Sequence, residues 1–239
     1  MRKNILLLTF SLLFCGTIFG KQPTRVLVMT EGHAFDRENF FAMLESFPGI
    51  TFTEVKHPDA LFMLQPEHRK SYDVILLYDM PQTIREEEKK NFIDCLNEGK
   101  GLVALHHTTG SYPEWPEFQE IIGGRYTFKP WTDAGGTVHP ASDFKDDVPF
   151  RVHVADRKHP VNKGIEDFDV VDETYLNVAV NPDVHVLLTT DEPTSTPSLA
   201  WTKKYGKSKV VTFLMGHDDH AYSTPNFRKF LNQAIQWVK

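Results

Sequence analysis

The chain has 239 residues, a formal charge of -6 and 41% hydrophobic residues. That length is ample for one α/β core, and the acidic balance offers no basic field to a phosphate backbone, which argues against a nucleic-acid partner. Of its 2 cysteines, Cys15 falls in an N-terminal segment that processing would remove, leaving Cys95 alone, so a disulfide framework within the monomer is excluded.

The N-terminus comes first. Arg2 and Lys3 precede an apolar run over residues 5–19, and small Gly20 stands before the polar Lys21-Gln22-Pro23. This succession predicts a secretory signal peptide over residues 1–20, too short for a comfortable membrane span. A periplasmic or secreted bacterial protein follows, with a single domain over residues 21–239 and no integral membrane domain once the signal is removed. Cys15 raises lipoprotein anchoring as an alternative, against which bulky Phe14 immediately before it argues.

Residues 25–30 (Arg-Val-Leu-Val-Met-Thr) read as a buried strand, followed by a turn at Glu31-Gly32-His33 and a helix over residues 37–46. Residues 50–55 alternate like a second strand. Residues 73–78 are apolar almost throughout, as in a strand buried on both faces. A helix is expected over residues 83–98, with Thr83 as N-cap and Glu86 completing the box; Cys95 lies in its apolar stretch. The strand Leu102-Val103-Ala104-Leu105 then ends abruptly in His106-His107. Residues 115–191 are rich in Gly, Pro and aromatics, with extended runs at 150–155 and 184–190, and read as an insertion and antiparallel extension. Residues 209–215 form the last core strand, followed by His217, Asp218, Asp219 and His220, and residues 226–238 the closing helix. Strands alternating with helices predict an α/β fold: a three-layer, doubly wound, mostly parallel sheet with an antiparallel extension.

In such a sheet the carboxyl ends of the strands form the crevice where ligands bind. His33, the His106-His107 pair and His217 each follow a predicted strand, so three separate loops converge there. Adjacent residues of a strand point to opposite faces, which leaves open which of His106 and His107 faces the site. Asp218 beside His217 can fix its tautomer, raise its basicity or join it on a metal. Two chemistries suit the set. His33, His107 and His217 could coordinate a divalent ion, zinc being the usual occupant of nitrogen-rich sites. Without an ion, the same groups could exchange protons as general acid and base. Aromatic residues of the middle segment, Trp131 among them, offer flat faces on which sugar rings stack.

The motifs Gly101-Leu102-Val103-Ala104-Leu105-His106-His107, Ile121-Ile122-Gly123-Gly124, His159-Pro160-Val161, Asp172-Glu173-Thr174-Tyr175 and Gly216-His217-Asp218, with Trp237 in the last helix, stand in a shared order. In these the chain resembles the trehalose-utilisation (ThuA-like) family, a branch of the class I glutamine-amidotransferase-like (flavodoxin-like) fold. The resemblance implies work on glucosides, disaccharides or their 3-keto derivatives, beside sugar oxidoreductases that make the keto group. It also implies a crevice that holds Glu173 as catalytic carboxylate, with His107, His217 and Asp218, and His33, His106, Tyr175 and Trp131 as substrate-binding residues. In amidotransferases a nucleophilic cysteine follows the central strand; here His106 and His107 stand in its place, so glutamine hydrolysis is not expected. The competing reading is a non-catalytic sugar-binding or accessory protein on the same scaffold.

Overall fold

In chain order the elements are β1 (Thr24–Glu31), α1 (Arg37–Glu45), β2 (Ile50–Lys56), β3 (Val74–Asp79), α2 (Glu86–Asn97), β4 (Gly101–Leu105), α3 (Pro116–Ile122), β5 (Gly124–Arg125), β6 (Trp131–Thr132), β7 (Val138–His139), β8 (Asp143–Val154), β9 (Phe168–Leu176), β10 (Ala179–Val180), β11 (His185–Thr189), β12 (Ser198–Tyr205), β13 (Ser208–Phe213), α4 (Asp219–Ser223) and α5 (Pro225–Val238). The computed structural model describes residues 22–239. The expected signal peptide, with Cys15, lies outside the described residues, among which no helix is long and apolar enough to cross a membrane.

The apolar runs build one 9-stranded sheet in the order β2-β1-β3-β4-β13-β12-β11-β8-β9. The strands from β2 to β13 run parallel, and those from β12 outward antiparallel. Because successive side chains of a strand face opposite ways, each parallel strand feeds two cores. Val26, Val28, Leu76, Tyr78, Val103 and Leu105 pack with α1 and α5 on one side. Leu27, Met29, Ile75, Leu77, Leu102 and Ala104 pack with Phe92, Cys95, Phe118 and Ile122 of α2 and α3 on the other. This three-layer arrangement is the expected doubly wound sheet with its antiparallel extension.

Local details differ from the sequence reading. Helix α2 begins at Glu86 with Arg85 as N-cap, and Glu88 reaches back to the Arg85 N–H at 2.8 Å. Thr83 takes no part, because the run Glu86-Glu87-Glu88 offers an acid one turn further on. Strand β12 was not anticipated: its alternation is blurred, with Leu199 to Thr202 all buried and Lys203 and Lys204 following. Helix α3 also escaped the reading, and it explains Ile121-Ile122-Gly123-Gly124. Gly123, at φ 79, caps the helix in the left-handed region, while Trp201 Nε1 and Thr212 Oγ1 both donate to the Ile122 carbonyl, at 2.8 and 2.7 Å.

The extension positions the site. Strand β8 joins β11 through the pairs Leu188↔Val154 and Thr189↔His153. The rest of the long β8–β9 hairpin is therefore free to leave the sheet, and it carries Asp172, Glu173 and Tyr175 to the carboxyl ends of β4 and β13.

At the opposite end, Asp73 fastens β1 to β3, accepting from the Arg25 guanidinium at 2.8 Å and from its backbone N–H at 3.0 Å. The Arg25 side chain holds the Asp73 carboxyl down from 3.8 to about 2. A folded pKa below the unfolded one stabilises the fold fully above pH 3.8, and that contribution is lost as the pH falls toward about 2. After solvent screening, Asp73→Asn should cost about 1 kcal/mol at neutral pH. Urea unfolding measured from pH 7 downward should show variant and wild type converging below pH 3.8.

Candidate active site

Strand β4 is wholly buried and ends at a turn that a non-glycine residue makes in the left-handed region: His106 has φ 54. Such a position costs on the order of 1 kcal/mol and persists only when its surroundings fix it. They do. Thr109 Oγ1 donates to the His106 carbonyl at 3.0 Å, and Thr108 and Ser111 bind the Asp79 carbonyl at the end of β3, each at 3.0 Å. The tight turn swings both imidazoles to the carboxyl edge, so the strand-alternation argument does not apply here.

His106 is fully buried, and its Nδ1 lies 2.6 Å from the Leu214 carbonyl, which can only accept. Nδ1 therefore carries a proton. Nε2 faces Glu173 Oε2 at 3.0 Å, the Tyr175 hydroxyl at 3.0 Å and His217 Nδ1 at 3.2 Å. Burial opposes charge on His106, but Glu173 and Asp172 outweigh it and raise its pKa. Burial likewise works to raise the Glu173 carboxyl, and the contact with His106 overrides it, holding Glu173 at about 2. Burial and the Glu173 carboxylate keep the Tyr175 hydroxyl protonated.

His217 follows Gly216, whose φ of 112 suits glycine, and a Cβ there would stand 2.9 Å from Phe227 Cζ and 3.1 Å from Leu105 Cδ1. The loop is held by Asp172, a buried carboxylate that accepts from the backbone N–H groups of Gly216 at 2.6 Å, His217 at 2.9 Å and Glu173 at 2.9 Å. From the other side Tyr78 donates to the Gly216 carbonyl at 2.6 Å and Tyr222 to that of His217 at 2.9 Å.

His107 stacks on His33 with ring centroids 4.6 Å apart and leans on Tyr78 at 4.4 Å. It is 3% exposed, and its Nε2 is buried with no hydrogen-bond partner. Burial, with His106 and His33 alongside, drives its pKa well below the usual imidazole value, so the ring is neutral.

His33, His107, His217, Glu173 and Tyr175 line a single cavity of about 390 Å³. Tyr126, Phe128 and Phe144 form apolar walls, and Asp146 stands at its edge, its carboxyl raised by burial and by the neighbouring Glu173. Three expected members lie elsewhere. His106, fully buried, touches Glu173, His217 and Tyr175 without lining the cavity. Asp218 caps α4 and accepts from the His220 N–H at 2.9 Å, so its carboxylate is spent on the helix and not on His217. Trp131 stands in an adjoining cavity, stacked on His139 at 4.5 Å. His33, His107 and His217 do not form the closest donor set; His106, Glu173 and His217 do, with donor atoms within 4.8 Å of one another. Asp146 was missed because it reaches the site through a register shift between Lys145 and Val148, which no periodicity announces.

The trehalose utilisation family, ThuA, matches residues 25–238. No curated protein matches the chain. Among solved structures, a protein described as ThuA-like from Parabacteroides merdae superposes with a TM-score of 0.76 at 19% identity, over 91% of this chain and 90% of that one. Another so described, from Bacteroides uniformis, gives 0.68 at 21% identity over 92% and 93%. A cytoplasmic protein of Salmonella typhimurium gives 0.61 at 12% identity over 90% and 100%. These likenesses show the fold, that of the glutamine amidotransferases.

The two aspartates of this region should respond differently to the same change. Asp172→Asn sets an amide NH₂ against a backbone N–H and should cost about 1–3 kcal/mol. Asp218→Asn exchanges one good N-cap for another and should be near neutral. Thermal melts of the two variants check this.

Proposed function

The chain belongs to the trehalose utilisation (ThuA) family, which gives it a carbohydrate-related role, and from that premise we propose that it is an enzyme acting on glucosides, disaccharides or their 3-keto derivatives by histidine and carboxylate chemistry. One observation carries the reading: His217, Glu173 and Tyr175, at the wall of a cavity with aromatic residues on its other sides, all stand within hydrogen-bond reach of the buried His106. A sugar ring lays its C–H face on such walls and turns its hydroxyls to the polar end.

The groups at that end have distinct capacities. Glu173 is ionised and accepts hydrogen bonds; Tyr175 is protonated and donates them. His107 is neutral, with a ring nitrogen that no protein group occupies. A ketone at sugar carbon 3 acidifies the neighbouring C–H. A base at the cavity could remove that proton while a donor binds the oxygen on which charge develops, leading to isomerisation, elimination or hydrolysis. Sugar oxidoreductases that make the keto group are the partners this chemistry calls for. A thiol route has no support, since Cys95 is buried in α2 beside the Tyr72 hydroxyl at 3.1 Å and His106 holds the turn after β4.

The test is turnover of 3-keto-glucosides and 3-keto-trehalose, followed by NMR beside the parent sugars. Glu173→Gln and His217→Ala should lose roughly a hundred- to ten-thousandfold in rate. Cys95→Ser should retain full activity. Sugars that bind without conversion would establish the sugar-binding reading instead.

Export is part of the proposal, supported by the charged, apolar and small-residue succession over residues 1–20. N-terminal sequencing of the protein from its own cells should find a start near Lys21; an intact Met1 would refute export by cleavage.

A further inference from the structure

We propose that His106 Nε2, His217 Nδ1 and Glu173 Oε2 are the three protein ligands of a divalent metal ion, zinc being the best match, whose open coordination position faces the sugar cavity. The three atoms form a triangle with sides of 3.0, 3.2 and 3.6 Å. Donors bonded tetrahedrally to zinc at about 2.0–2.2 Å stand roughly 3.3–3.6 Å apart, so this triangle is one face of such a site after small adjustment.

The protonation pattern supports the assignment. His106 spends its Nδ1 proton on the Leu214 carbonyl, which leaves Nε2 to act as the ligand atom. This is the tautomer that metal-binding histidines adopt, with the outer nitrogen held by a carbonyl or carboxylate. Around Nε2 stand a carboxylate oxygen, a second imidazole nitrogen and a phenol oxygen, all within 3.2 Å. A single proton there can satisfy one of these acceptors; a cation at the centre of the triangle satisfies Glu173 and His217 together.

The scaffold, and not contact among the three ligand side chains, holds the ligands in place. His106 is fixed by the turn after β4, while Asp172 binds the backbone N–H groups of both Glu173 and His217 and so sets the distance between the other two. Two histidines and one glutamate with an open side are a catalytic ligand set, since structural zinc sites fill all four positions. Glu173 and His217 line the cavity, so the fourth position belongs to water or to a sugar oxygen. The ion's role of polarising a sugar carbonyl or hydroxyl rests on the function proposed above; its binding does not.

The experiment is calorimetric titration of zinc chloride into chelator-stripped, full-length mature protein, with cobalt absorption spectra reporting the ligand field. Wild type should bind one equivalent, with a tetrahedral cobalt spectrum. Glu173→Gln and His217→Ala should each weaken binding at least tenfold while melting as folded proteins. Asp218→Asn, in the exposed group with Asp147 and His220, should bind as wild type. Absence of binding by wild type, or binding lost in Asp218→Asn and kept in both triad variants, overturns the site. Turnover that survives complete metal removal overturns the ion's catalytic role and leaves the acid–base reading standing. A bound ion without turnover of any keto-sugar leaves the site standing and overturns the function proposed above.

Discussion

Asp172 is the constraint on which the site depends. Its buried carboxylate takes three backbone N–H groups, from Gly216, His217 and Glu173, and so ties the antiparallel hairpin to the parallel core. Burying a carboxylate is costly unless it is fully hydrogen-bonded, and here the donors are main-chain groups of a loop and of the register shift within the β8–β9 pair. The result is a fixed separation between the Glu173 carboxylate and the His217 imidazole, which lie far apart in sequence. The hairpin itself is anchored by Val148, Phe150, Val152, Phe168 and Val170, which pack into the main core, so Asp172 has only to set the local geometry.

The turn at His106 shows what has been done with the amidotransferase-like scaffold. A strained strand-to-helix turn places one side chain at the top of a sheet, and in hydrolases of this general design it presents a nucleophile. Here the side chain is an imidazole, its outer nitrogen bound to the Leu214 carbonyl and its inner one to Glu173. Held at both ends, it orients the Glu173 carboxylate where a thiol would attack. The scaffold contributes rigidity; the chemistry changes with the residue that occupies the turn.

Much of this was legible in the sequence because burial dictates it. The runs at β1, β3, β4 and β13 are apolar on both faces, which only a covered parallel sheet requires, and the histidines stand out where those runs stop. Strand β12 was lost because Trp201, Lys203 and Lys204 face different environments as the strand passes from core to surface. Assignments within the site were harder. The pairing of His106 with Glu173 depends on a positive φ at a non-glycine residue, and propensity carries no sign of that. Asp218 looked like a partner for His217 because it is adjacent, yet an aspartate just before a short helix has a competing use as its cap, and the cap won. Asp146 enters through a bulge, and Trp131 is drawn aside by His139.

The division of labour between the two halves also explains why the cavity is polar at one end and aromatic elsewhere. The parallel strands end in loops fixed by hydrogen bonds to the main chain, and these loops hold the imidazoles. The middle segment supplies Tyr126 and Phe128 from the connection after β5 and Phe144 from the start of β8, where Phe128 and Phe144 remain 50% and 56% exposed. Large apolar side chains left in water at the mouth of a polar site contribute nothing to the core and are free to cover a ligand. The extension thus supplies the aromatic walls together with Glu173 and Tyr175, while the parallel strands supply the imidazoles, and the two sets meet where Asp172 joins them.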